Sequence, residues 1–119
     1  MSQGLPVPDP PPSLSPELRP LYEEAARIAD PSPASACALL RLLLRSLLQQ
    51  AGMRGRHLAD DVGRLVDGGA PVGLLRALDA IGMTDDEARR PAELNLANGH
   101  REAQNLFVFV NLFCEQVRA

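Results

Sequence analysis

The side chains whose type and spacing could do chemistry fall mostly within residues 77–94, ALDAIGMTDDEARRPAEL. Gly82 interrupts an apolar run, Asp85, Asp86 and Glu87 follow, then Arg89 and Arg90, and Pro91 closes the stretch. Neighbouring carboxylates can bind a cation or move protons, and paired arginines can steady a phosphate. A calcium loop takes oxygen ligands at alternating positions around a turn glycine, which Asp85-Asp86-Glu87 does not offer. His57 and His100 are far apart, and Cys37 and Cys114 stand singly among Ala, Leu and Phe. Zinc sites draw on close ligand clusters, so no metal or other cofactor is expected, and both thiols read as buried and free. His57 with Asp60 or Asp61 one turn on could form an acid–base pair. Without a nucleophile nearby, a solvated surface pair is the expected reading. Arg54 and Arg56 in a short loop could touch phosphate. The sequence has no P-loop, no dinucleotide-binding glycine motif and no G-x-S-x-G elbow.

The elements that must position these groups are helices. Residues 1–19 belong to a proline-rich segment, 1–20, that holds seven of the chain's 11 prolines, and they read as an extended arm ahead of a domain spanning 20–119. Pro20 suits the first turn of a helix through LYEEAARIA. Ser32-Pro33 opens a long apolar helix that stops at Gly52, and its one polar stripe is Arg41, Arg45 and Gln49. This is the expected central helix. Leu58, Val62, Leu65 and Val66 give a third helix, and Leu74, Leu75, Leu78 and Ile81 a fourth. Thr84 and Glu87 have the spacing of a capping box, which predicts a short helical turn. Asn98 can cap the last helix, whose apolar positions include Ala103, Leu106, Phe107, Val110, Phe113 and Val117. Val108, Phe109 and Leu112 are also apolar and point elsewhere, so more than one neighbour must cover this helix. A second subunit is the expected cover, with Phe107, Phe109, Leu112 and Phe113 as anchors.

Composition agrees with an all-α bundle of four to five helices. The chain has 119 residues, 45% hydrophobic but only 3% aromatic, so its core is Leu, Ala and Val. Net charge is −3 and all 12 basic residues are Arg, which argues against a general electrostatic grip on nucleic acid. With neither a signal core nor an apolar run of membrane-spanning length, a cytoplasmic protein without a membrane partner is expected.

Taken in order, these segments resemble a bacterial HEPN-like domain of unknown function, found alone or fused to restriction-system nucleases and helicases. The resemblance covers about residues 20 to 118. It rests on Tyr22, Glu24 and Ala25; on Ala36, Leu39, Leu40, Arg41 and Leu44; and on Gly52, Gly55 and Leu58. It implies an antiparallel bundle that dimerises. In active relatives an Arg and a His carry metal-independent RNA cleavage. Aligned through Pro91, Gly82 replaces that Arg, Arg90 replaces the His, Asp85 and Asp86 replace Gly-Asn, and Arg45 replaces a Glu. An arginine does not shuttle protons near neutral pH, so ribonuclease chemistry of that kind loses its carrier. The expected function is therefore a non-catalytic dimerisation or interaction module, in a defence, restriction or toxin–antitoxin setting that the resemblance implies. A charge exchange is expected to pair Arg45 with Asp86 or Asp85. The alternatives are an RNA-cleaving site rearranged around Arg89, Arg90 and His100, or RNA or DNA binding through Arg54, Arg56, Arg89 and Arg90.

Overall fold

The computed structural model describes residues 7–53 and 58–117. Six helices form among them: α1 (Arg19–Ile28), α2 (Pro33–Gln50), α3 (Leu58–Asp67), α4 (Gly73–Ile81), α5 (Asp85–Arg89) and α6 (His100–Gln116). The fold is all-helical, as expected, and α5 is the five-residue turn opened by the capping box, one helix beyond the expected four to five. No strand occurs among the described residues.

α2 is the central element, packed against α1 on one side and α6 on another. Proline in its first turn costs no hydrogen bond there, and the following Ala and Leu positions are buried on most of its circumference. α1 presents Tyr22 and Ala25 to it at helical spacing. α6 lies against both α2 and α4, and α3 lies against α4. Gly82 ends α4 in the left-handed conformation at φ 67°, which lets the chain turn sharply into α5.

Two expectations change here. The N-terminal segment is irregular, as its prolines dictate, but residues 7–18 are strapped to the bundle. Pro11, Leu14 and Leu18 are buried, the Ser13 hydroxyl donates to the Cys114 carbonyl at 3.0 Å, and the Tyr22 hydroxyl donates to the Pro8 carbonyl at 2.8 Å. The second correction concerns α6. Phe107, Phe109 and Phe113 are at most 2% exposed within a single chain, and Leu112 is half-buried against the same core. The three phenylalanines expected as anchors for a second subunit are thus covered within one chain, and Leu112 is covered in part. The neighbours that α6 requires are α2, α4 and the N-terminal strap; Tyr22 meets Phe107 edge-on at 5.3 Å. Of the extra apolar positions only Val108 is left substantially exposed, at 53%.

Candidate functional site: an ion-lined cleft beside the central helix

The corner that follows α4 is built around one arginine, and that arginine is Arg41. The Thr84 hydroxyl accepts from the Glu87 amide at 3.1 Å, and the Glu87 carboxylate accepts from the Thr84 amide at 3.1 Å, so the box fixes α5 and aims Glu87 inward. Glu87 Oε2 also accepts from Asn95 at 2.7 Å and lies 3.9 Å from Arg41 Nη1. Arg41, nearly buried in α2, donates from Nη1 to Asn98 Oδ1 at 2.8 Å and from Nη2 to the Glu93 carbonyl at 2.6 Å. A planar fork with several donors suits this task better than an ammonium would. Burial pushes the Glu87 carboxyl up, but the Thr84 amide, the Asn95 side chain and Arg41 together outweigh it and hold the group below its ordinary value.

The expected pairing of Arg45 with Asp86 is therefore corrected. Arg45 makes no ion pair with Asp86, whose carboxylate instead lies 4.0 Å from Arg89 and 3.6 Å from Arg90. The Asp85 side chain lies outside the described part of the structure, as do Arg54, Arg56 and His57. Asn98, expected as the cap of α6, turns its oxygen to Arg41. Gly99 occupies the cap position, where the Glu102 carboxylate accepts its amide at 2.9 Å.

The groups of the rearranged cleavage site are not gathered. Arg90 bonds to Asp86 and lies 3.6 Å from Glu93, on the wall of a shallow 420 Å³ depression rich in carboxylates. His100 instead meets the Asp30 carbonyl at 2.9 Å, at the start of α6. Among the described residues no group of three His, Cys, Asp or Glu is placed to hold a metal ion. Cys37 and Cys114 are buried and free, and burial pushes each thiol up to about 11.

Asp61, expected in a solvated surface pair with His57, is instead a second buried ion. Leu58, Asp61, Val62 and Leu65 stand at i, i+3, i+4 and i+7 of α3, so Asp61 occupies the face that turns to the core. It is 2% exposed, and its Oδ1 has no hydrogen-bond partner among the described residues. Asp61 forms part of the wall of a cleft of about 620 Å³ between α2, α3 and the α5 corner. Leu44, Leu48 and Met83 supply apolar wall, and Arg41 and half-buried Arg45 line the same space. The Arg41 Nε is also buried without a partner. One cleft thus carries an unmatched acceptor and an unmatched donor, where buried polar groups are almost always paired.

Fold and site together define an all-helical bundle with an ion-lined cleft beside its central helix. No known protein family, curated protein or solved structure matches the chain. Among the described residues no helix is long and apolar enough to cross a membrane.

Proposed function

We propose that this chain is a non-catalytic binding module of the HEPN-like kind, working through the cleft between α2, α3 and the α5 corner. The observation that carries the reading is Asp61, a buried carboxylate with an unpaired oxygen on the wall of a 620 Å³ cleft. That volume lies in the range of small-molecule sites, roughly 300–1,000 Å³. The corner where the resemblance would put a cleavage centre holds instead a hydrogen-bonded lock of Arg41, Glu87, Asn95 and Asn98, whose work is to fix one wall of the cleft. A cytoplasmic setting within bacterial defence, restriction or toxin–antitoxin systems belongs to the same proposal. Any homodimer would use exposed positions such as Val108 rather than the buried phenylalanines.

Amide-detected NMR of the labelled chain tests this with a panel of small cationic, anionic, zwitterionic and neutral compounds. Shift changes clustering on α2, α3 and the 83–88 corner are the expected result. Changes scattered over the surface, or confined to residues 89–100, would overturn the reading. Incubation with transfer RNA and total RNA without metal tests the enzymatic alternative. Cleavage that is lost in Arg90→Ala would replace the binding reading with that one.

A further inference from the structure

We infer that the ligand of this cleft is an apolar zwitterion of the amino-acid type, a free amino acid or a short peptide carrying both termini. The inference rests on the cleft being the binding site and adds the chemistry that it selects. Asp61 is an acceptor held 98% out of solvent, and its unpaired Oδ1 calls for a charged or strongly polar donor. Asp61 lines the cleft, and the terminal torsion of an aspartate is soft. An ammonium is the donor best matched to a carboxylate.

A simple cation would still meet the wrong field on the other wall. Arg41 and Arg45 both line the cleft; Arg41 is neutralised by Glu87, whereas Arg45 makes no ion pair among the described residues and stays half-buried. A carboxylate on the same ligand answers Arg45, which lines that wall. Between these poles Leu44, Leu48 and Met83 ask for an apolar body. A single leucine leaves much of 620 Å³ unfilled, and a dipeptide fills more of it, so the two sources of this chemistry are separable by size. Asp61 and Arg45 line the cleft together without forming an ion pair, which leaves each available to the opposite end of one ligand.

Isothermal titration of the full chain with L-leucine, leucyl-leucine, isoamylamine and N-acetyl-L-leucine tests this. At least one of the two zwitterions is expected to bind, and the tighter of them identifies the source. Isoamylamine lacks the carboxylate and N-acetyl-L-leucine lacks the ammonium; each should bind at least about tenfold more weakly, the cost of leaving one buried ion unanswered. Asp61→Asn should weaken the zwitterion by a similar factor and leave N-acetyl-L-leucine unchanged. Arg45→Gln, at a half-buried position whose loss does not endanger folding, should weaken the zwitterion and leave isoamylamine unchanged. Isoamylamine or N-acetyl-L-leucine binding as tightly as the zwitterions would overturn the inference, as would binding by none of the four. If neutral or purely anionic compounds map to the cleft by NMR in that event, the binding reading stands and only the zwitterion falls. Zwitterion binding that maps away from the cleft overturns both.

Discussion

Arg41→Met tests whether the α5 corner hangs on the arginine fork. Methionine keeps an apolar stem in the same space, so the substitution removes the charge and the donors while leaving little cavity. Hydrogen bonds from a charged donor contribute about 1.5–3 kcal/mol each, and Arg41 makes two short ones, to Asn98 and to the Glu93 carbonyl. Across the 3.9 Å to Glu87, gross Coulomb attraction is about 4 kcal/mol at an effective dielectric constant of about 20, and desolvating the guanidinium offsets most of it. Replacing every member of a buried ionic set can be neutral, but here the acceptors stay behind. Breaking such a set by removing one partner costs about 3–5 kcal/mol. We expect a loss near 3 kcal/mol, read as a fall in melting temperature of roughly 12–24 °C, with Arg41→Lys intermediate because it restores charge without the fork. Urea and thermal unfolding followed by circular dichroism measure both. The pH profile adds a second readout. Glu87 binds its proton less readily in the folded chain than in the unfolded one, so its contribution is complete above the ordinary carboxylate range and is lost as pH falls through its lowered folded value. Arg41 supplies part of that lowering, so Arg41→Met should flatten the acid limb. A variant within about 0.5 kcal/mol of the parent, or strict additivity of Arg41→Met with Glu87→Gln, would refute the fork as the corner's support.

Four other outcomes follow from the packing. Gly82→Ala places a Cβ in open space but at φ 67°, so backbone strain alone should cost about 1–2 kcal/mol, seen as a melting shift with no change in helix content. Phe109→Ala should lose about 3–5 kcal/mol of unfolding free energy at every protein concentration; a loss that appears only on dilution would restore it as an interface residue. Cys37 and Cys114 should resist a disulfide reagent near neutral pH until denaturant is added, because burial raises both to about 11. The same shift makes stability constant below the ordinary thiol value near 9 and declining as pH rises toward about 11, which denaturation across that window would show. Asp61→Leu should raise the stability of the unliganded chain by about 1 kcal/mol, the penalty of an unpaired buried acceptor less the favourable placement of an acid in a first helical turn. Destabilisation of similar size would show that Asp61 is structural.

Helix positions were legible because their signals are local. Prolines in first turns, Gly52 and Gly82 at ends, and the Thr84–Glu87 box act within a few residues and need no knowledge of the rest of the fold. The identity of the buried arginine was not local. Arg41 and Arg45 share one stripe of α2, about one turn or about 6 Å apart, and only the docking of residues 85–98 decides which of them is enclosed. Asn95, otherwise unexplained in an apolar stretch, was the available hint that a polar partner was to be met there. The excess apolar surface of α6 pointed correctly to additional neighbours. Part of that cover comes from the chain itself, because the proline-rich segment, read as an arm, folds back on the bundle. Asp61 was legible and was passed over: pairing it with His57 as a surface acid–base couple ignored that it falls in phase with Leu58, Val62 and Leu65.

The two buried ions separate structure from function in this bundle. Arg41 has its terminal nitrogens answered from three positions distant in sequence, and each answer fixes a piece of the corner. Asp61 is enclosed as deeply, yet its one unpaired oxygen is matched by nothing among the described residues. A first-turn placement returns only about 0.3–1 kcal/mol against a larger desolvation cost, so stability alone gives no reason for the group. Unpaired buried acids of this sort make sense where the partner arrives from outside. The cleft between them is also bounded by Met83 and Ala88, on the corner that Arg41 holds. A ligand that answers Asp61 therefore presses on the same corner, and its binding should strengthen the Arg41 lock rather than act apart from it. Ligand affinity and corner stability are then linked quantities, and the coupling free energy between them is the same in both directions.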